Sequence, residues 1–423
     1  MENYICNSTI YSKLPILDEN ESKKLFSLSF SGGSFRAYCS TLGIMRAILK
    51  NDKIDIEEIP YISCISGSSW ITMILSHTHD SLEEILLFDI DRSLTDFKEN
   101  KLVDIAYKFQ PNNDIILPFI LNTTNSYNEI INRYVLNEFE IGNKLLCKRK
   151  CESKLHLREM WPTYIITTSY ENNGILYPIE YTPSYYTIGG ETTSLFINDC
   201  KEDYKSFISD SIISESYSKI SPDITSTIML ASSSFLFNML LKYNIKVDEK
   251  DLSLLDGGYT DFFSIVPLLR RKIKKIFCSV SSILNSDGTI MIKNWFKDTD
   301  DYEDVFYKDE YENMLKEINK KHFNRELCYF RGNFRIKENS KYLTSEYETE
   351  IIFYFVTQVS EFIDQLSPIV FRSPEMIGFP NFPLLFSNQS NFISYSKLQS
   401  YSIILLTEWS FNEIYKKETD FFN

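Results

Sequence analysis

Two short segments near the amino end restrict what this chain can fold into more than any other feature. Ser29-Phe30-Ser31-Gly32-Gly33-Ser34-Phe35-Arg36-Ala37 and Pro60-Tyr61-Ile62-Ser63-Cys64-Ile65-Ser66-Gly67-Ser68-Ser69-Trp70 each read as a strand, a tight turn of small residues and a helix. In the first, the strand runs from Leu25 to Phe30, and Phe35, Tyr38, Cys39, Leu42, Met45 and Leu49 recur at helical spacing. In the second, an apolar run ends at Ile65, and the helical run Trp70, Ile71, Ile74, Leu75 follows. Ser66 sits between residues too small to crowd a sharp turn. That is the pattern of a nucleophile elbow, which lifts a hydroxyl onto a helix N-terminus where the partial positive charge favours an alkoxide. The paired glycines Gly32 and Gly33 expose backbone N–H groups, the donors an oxyanion needs. Either segment alone also suits ordinary strand-to-helix packing. A third segment, Leu254-Leu255-Asp256-Gly257-Gly258-Tyr259-Thr260, adds a carboxylate directly before two glycines, and with it a candidate base.

The trio Ser-Gly-Gly-Ser-Phe-Arg-Ala at 31–37, Ile-Ser-Gly-Ser-Ser-Trp at 65–70 and Asp-Gly-Gly-Tyr-Thr at 256–260 resembles the catalytic domain of group IV cytosolic phospholipase A2. It is also similar to the lysophospholipases of the phospholipase B type, themselves similar to patatins. Weaker echoes are Glu180-Tyr181-Thr182-Pro183 and Pro267-Leu268-Leu269-Arg270, so the resemblance spans roughly residues 25–280. It implies an α/β fold: a three-layer α/β/α domain with a central mixed sheet and a helical cap, reduced here because the interval between Ser66 and Asp256 is shorter than in the animal enzymes. It also implies a serine lipid acyl hydrolase of the phospholipase A2/lysophospholipase type, cleaving fatty acyl esters of glycerophospholipids through an acyl-enzyme. In that scheme Ser66 and Asp256 form the catalytic dyad, Gly32 and Gly33 the oxyanion hole, and Arg36 binds the substrate phosphate, with no metal and no cofactor. Three departures from the family narrow the expected pocket: Cys64 and Ser34 stand where the family has glycine, and the asparagine-proline pair usual after the aspartate is missing, with Phe262 and Phe263 nearby.

The residues themselves also favour a dyad. The four histidines are His77, His79, His156 and His322, and none lies on a loop near the carboxyl end, where a Ser-Asp-His hydrolase keeps its base. His77 is about eleven residues along the helix from Ser66, hence about 16 Å away, and reads as part of a helix end. Asp256 is the better base, provided burial raises its pKa and the helix end acidifies the Ser66 hydroxyl. Arg36 has a plainer reading as a structural ion pair on a helix. An acyltransferase using the same dyad, or a catalytically inactive lipid- or protein-binding module on the same fold, stays open.

Composition excludes other classes. Of 423 residues, 43% are hydrophobic and 15% aromatic, enough for a large core. The 44 basic against 58 acidic side chains give a formal net charge of −14, which opposes any general grip on nucleic-acid phosphates. The same charge opposes attraction to anionic lipid, so docking on a membrane or micelle carrying the phospholipid or lysophospholipid substrate must rest on apolar side chains. The basic cluster Lys148-Arg149-Lys150 reads as solvated surface. No apolar run approaches a membrane span and no secretory signal heads the chain, so a cytoplasmic protein with peripheral association to membranes is expected. The eight scattered cysteines read as reduced thiols, and Cys147 with Cys151 lacks the partners of a zinc site.

Along the chain, residues 1–24 are a polar lead-in too short to fold into a calcium-dependent lipid-binding domain, so calcium-independent behaviour is expected, and 25–423 read as one catalytic domain. Cap and lid material falls within about 81–222. There Asp80 with Glu83 reads as a capping box opening a helix from Ser81 to Phe97, and Ser126 with Glu129 opens another. Tyr164–Thr168 and Ile175–Tyr181 read as strands, and 184–222, including Gly189 to Ser194, as a mobile lid. Asp223 opens a helix, and Ile273–Val280 and Glu350–Val356 are strands. Arg270 to Lys275 reads as a solvated helix end in preference to a phosphate or lipid patch, Asp298 to Asp304 as a solvated acidic loop, and Phe379 to Phe386 as a proline-stiffened segment packed on the domain in preference to an exposed interfacial patch.

Overall fold

A computed structural model of the chain describes residues 26–91, 93–108, 137–139, 141, 161–172, 175–182, 186–188, 243–247, 250–281, 283–284, 287–291, 305–337, 346–382 and 395–423. Strand β1 (Ser27–Phe30) leads through the glycine turn into helix α1 (Ser34–Leu49), and β2 (Tyr61–Cys64) leads through Ser66 into α2 (Gly67–His77). Helices α3 (Leu82–Leu86) and α4 (Lys101–Lys108) follow, then strands β3 (Thr163–Asn172), β4 (Ile175–Tyr181), β5 (Tyr186–Ile188), β6 (Tyr243–Val247) and β7 (Lys250–Asp256). After α5 (Val266–Arg270) come β8 (Lys275–Val280), β9 (Ile283–Leu284) and β10 (Ile290–Met291). The chain closes with α6 (Lys308–Phe323), β11 (Tyr329–Ile336), β12 (Tyr347–Phe355), α7 (Ser360–Ile363), α8 (Pro368–Phe371), α9 (Lys397–Lys417) and α10 (Thr419–Phe422).

Ten of these strands share one mixed sheet. Its order is β11-β12-β8-β1-β2-β3-β4-β5, with β7 paired to β3 and β6 to β7. The centre, β12-β8-β1-β2-β3, is parallel, whereas β11, β4, β5, β6 and β7 run antiparallel to their neighbours. Side chains alternate across the sheet with a period of two, and each face has its own core. Leu28, Ile62, Cys64, Phe277, Ile352 and Tyr354 face α1, α2 and α9, while Ile276, Cys278, Ile351, Phe353 and Phe355 face α5 and α6. The result is the three-layer α/β/α arrangement expected from the sequence.

Helix α1 is buried on every side from Phe35 to Ile48, as a helix must be when sheet and a second helix cover it. It meets α9 at Gly43, where an added Cβ would lie 2.1 Å from Thr407 Oγ1 and 2.4 Å from the Ile404 carbonyl oxygen. The buried Arg46 guanidinium donates to Glu408 on α9 at 2.8 Å and to the Leu86 carbonyl, and it stacks on Phe88.

Two sequence readings need correction. The predicted helix from Ser81 to Phe97 ends at Leu86, and its capping box starts one residue later than expected: Ser81 Oγ accepts from the Glu84 N–H, and Glu84 accepts from the Ser81 N–H. The Asp91 carboxylate accepts from the Ser93 N–H at 2.9 Å, a local turn that competes with helix, and Leu94 takes a positive φ of 54°. Nor is the basic string after Pro267 a solvated end. Arg270 and Arg271 turn inward and share the Glu180 carboxylate, at 2.7 and 3.0 Å, and only Lys272 beyond them is exposed. The predicted strands at 164–168, 175–181, 273–280 and 350–356 correspond to β3, β4, β8 and β12. Phe379 and Phe382 are buried, as expected of a packed segment. The expectations for residues 1–25, Ser126 with Glu129, Lys148 to Lys150, Gly189 to Ser194, Asp223 and Asp298 to Asp304 lie outside the described residues. Among the described residues no helix is long and apolar enough to cross a membrane.

Glu180 is 1% exposed. Burial alone pushes its carboxyl up, and Arg271 and Arg270 together more than reverse this, leaving it below its ordinary value near 4.5. A depressed carboxyl contributes stability that is complete above its ordinary value and lost as pH falls through the folded-state value. Glu180→Gln is therefore expected to cost about 3–5 kcal/mol in urea unfolding at pH 7, with the gap to wild type closing as pH falls below about 4. An equal gap at pH 7 and pH 3 would show that the carboxylate is not coupled to the two arginines. Gly43→Ala is expected to lower stability by about 1–3 kcal/mol in the same measurement, because the α1–α9 contact has no room for a methyl group.

Candidate active site

Ser66 stands in the sharp turn between β2 and α2, with φ 51° and ψ −132°, a conformation that L residues with side chains rarely adopt. Such strain persists only where the surroundings impose it, and here hydrogen bonds do so. Ser68 Oγ donates to the Ile65 carbonyl at 2.6 Å and lies 3.0 Å from the Phe30 carbonyl at the end of β1. The Ser69 N–H and hydroxyl both donate to the Ser66 carbonyl, at 3.0 and 2.6 Å. Ser66 itself is 8% exposed. The next residue must be glycine, since a Cβ on Gly67 would lie 1.9 Å from the Ser34 carbonyl oxygen. The N-terminal ends of α1 and α2 therefore touch, and neither carries an acidic residue in its first turn to offset its positive end.

The glycine turn before α1 packs directly on the elbow: a Cβ placed on Gly32 would lie 3.3 Å from the Ser66 Cβ. The turn is locked from behind, where Ser31 Oγ accepts from the Ser281 N–H at 2.8 Å and the Ser31 N–H donates to the Ser279 carbonyl. The Gly32 N–H donates to the Phe262 carbonyl at 3.3 Å, so it serves the scaffold. The N–H groups of Gly33 and Ser34 donate to no described residue. Gly33 has φ 142° and Ser34 φ 54°, and this path turns the backbone into the first turn of α1.

The sheet register brings Asp256 to the same place. β3 pairs along one edge with β4, so β2 and β7 must share the other edge. Cys64 at the end of β2 lies opposite Ile166, and Asp256 at the end of β7 lies opposite Thr168. Because β2 runs parallel to β3 and β7 antiparallel, the two strands end facing each other, two β3 residues apart, about 7 Å. The turn after Asp256 lies against the elbow, with the Cβ position of Gly257 3.0 Å from Ile65 Cγ2. Asp256 is 4% exposed, and its Oδ1 accepts from the Gly258 N–H at 2.8 Å. The loop beyond is pinned beneath β1 and β2 by buried serines: Ser29 Oγ donates to the Phe263 carbonyl at 2.7 Å, and the hydroxyls of Ser63 and Ser264 lie 2.9 Å apart. Asp261, also buried, accepts from the Val266 N–H at the start of α5.

Arg36, in the first turn of α1, is 2% exposed and makes no ion pair with any described residue. Its Nη1 donates to Asn381 Oδ1 at 3.0 Å, while Nε and Nη2 are buried without a hydrogen-bond partner. Asn381 also lines a cavity of about 590 Å³ shared with Leu284, Phe371, Met376, Ile377 and Phe379. The sequence did not single out Asn381 or Tyr395, whose buried hydroxyl likewise has no partner; the one available signal was the aromatic and proline-rich segment that carries Asn381.

The remaining candidates lie elsewhere. His77 is buried at the far end of α2 with Nε2 3.2 Å from the Tyr164 hydroxyl, and His322 on α6 lies 3.1 Å from the Gly288 carbonyl. Burial pushes the Cys64 thiol up to about 12, so this neighbour of the elbow is inert. Among the described residues no group of three His, Cys, Asp or Glu side chains could hold a metal ion.

No protein-family profile matches this sequence, and no curated protein matches it. Among solved structures, human GIVD cytosolic phospholipase A2 aligns with a TM-score of 0.47 at 11% identity, over 98% of this chain and 64% of that one. The same human enzyme in complex with methyl gamma-linolenyl fluorophosphonate and terbium chloride aligns at 0.45 and 13% identity, over 99% and 62%. Its complex with the fluorophosphonate alone aligns at 0.45 and 11%, over 98% and 61%. The chain spans less than two thirds of the length of these human structures, and it is similar to them at this level only.

Proposed function

We propose that the chain is a serine-dependent lipid acyl hydrolase that cleaves fatty acyl esters of phospholipids or lysophospholipids. The observation that carries this reading is the meeting of β2 and β7 on one edge of β3, which sets a strained serine at a helix N-terminus beside a buried aspartate. Asp256 removes the Ser66 proton as Oγ attacks the ester carbonyl. The oxyanion is held by N–H groups at the start of α1, those of Gly33 and Ser34, while Gly32 anchors the turn to Phe262. Collapse of the tetrahedral adduct breaks the bond to the glycerol oxygen, which leaves with the proton held by Asp256. Water then gives a proton to Asp256 as its oxygen attacks the acyl-enzyme, and the fatty acid departs as Ser66 recovers its proton. Arg36 binds the substrate phosphate, a role supported by the absence of any carboxylate partner for its buried guanidinium among the described residues. Docking at the lipid interface falls to exposed apolar side chains such as Ile369 and Ile377.

The test is fatty-acid release from lysophospholipid micelles by the full chain. Ser66→Ala is expected to abolish release, and Asp256→Asn to lower turnover by about 10²–10⁴-fold, the usual contribution of a positioned base. Release that survives Ser66→Ala, or none from the wild type, would overturn the proposal.

A further inference from the structure

Arg36 differs from the other buried arginines in what it lacks. Arg46 has Glu408, and Arg270 and Arg271 have Glu180, but among the described residues the Arg36 guanidinium hydrogen-bonds only the amide oxygen of Asn381. Two of its three nitrogens are sealed from solvent without an acceptor. Leaving buried donors without acceptors costs stability, and more so when the group is charged. Such a deficit is relieved where a ligand supplies the missing acceptors.

Tyr395 is the second half of the site. It is 4% exposed and its hydroxyl oxygen is buried without a partner. Its ring packs edge-on against Phe382 at 5.5 Å, and Phe382 packs on Phe379 at 5.8 Å, so Tyr395 lies against the segment that carries Asn381. Its backbone N–H is tied to the Ala106 carbonyl of α4. Burial pushes its hydroxyl well above the ordinary tyrosine value, and the nearby Arg36 charge opposes this only in part, so the group stays protonated and acts as a donor.

We propose that Asn381 and Tyr395 complete a cradle for the phosphodiester of the substrate headgroup, with Asn381 as the positioning residue that orients Arg36 and Tyr395 donating to the same phosphate. The inference rests on the reading of Arg36 given above. A guanidinium edge formed by Nε and Nη2 matches two oxygens, and a hydroxyl donor serves a third, which fits a tetrahedral anion better than a carboxylate.

Calorimetric titration of the full chain with glycerophosphocholine, which has no acyl ester to hydrolyse, tests the cradle apart from the chemistry. The wild type is expected to bind it, and Tyr395→Phe to bind roughly ten-fold more weakly. Asn381→Asp supplies Arg36 with an internal carboxylate, so binding should vanish while the thermal midpoint holds or rises, an effect that a merely structural role for Asn381 would not produce. Absence of wild-type binding, equal binding by Tyr395→Phe, or binding of inorganic phosphate but not of glycerophosphocholine would overturn the assignment. If binding behaves as expected and Ser66→Ala still releases fatty acid, the dyad is wrong and the cradle stands.

Discussion

The site depends on one edge of one strand. β3 offers its first residues to β2 and its later ones to β7, and because these two run in opposite directions they must end face to face at Thr167. There is little room at that junction: a Cβ on Gly257 would lie 2.2 Å from the Thr167 carbonyl oxygen, and one on Gly67 1.9 Å from that of Ser34. Small residues at the three turns are thus a packing requirement as well as a chemical one. The same closeness lets serine hydroxyls of β1 and β2 reach the loop after Asp256, so the carboxylate is fixed to the sheet on which Ser66 stands.

Electrostatics follow from that geometry. Two helix N-terminal ends converge without an acidic side chain in either first turn, and the first turn of α1 carries a buried arginine with no counter-ion among the described residues. Each feature favours negative charge, and together they suit a reaction that passes through an oxyanion on a substrate already carrying a phosphate. The other buried arginines among the described residues are neutralised: Glu180 answers Arg270 and Arg271, and Glu408 answers Arg46. The exception at Arg36 therefore points to a binding role more strongly than burial of an arginine would alone.

Much of this was legible in the sequence, for physical reasons. The segments around Ser66, Gly32 and Asp256 carry local rules, with small residues at tight turns and apolar periodicity on either side, and such rules survive without tertiary information. Long-range pairing left no such trace. Arg270 and Arg271 looked like a solvated helix end because nothing near them in sequence reveals that Glu180 is their partner across the sheet. Helix α9 went unread, since burial of Ser400, Tyr401, Ser402, Ile403, Ile404 and Thr407 blurs the alternation of polar and apolar faces that marks a surface helix. The helix expected from Ser81 to Phe97 failed where Asp91 and Ser93 formed a turn of their own, a competition that spacing alone does not decide. Asn381 and Tyr395 became visible only once the hydrogen-bond partners of Arg36 could be counted.

In the proposed dyad Ser66 is a nucleophile activated by Asp256, and a covalent adduct tests this without reference to any substrate. The full chain would be treated with a fluorophosphonate, and the modified residue located by tandem mass spectrometry of its peptides. The account expects fluoride displacement by the Ser66 oxygen alone, at a rate that drops steeply in Asp256→Asn while the fold is retained. Modification at another serine, or labelling of Ser66 at an unchanged rate without the Asp256 carboxylate, would contradict it.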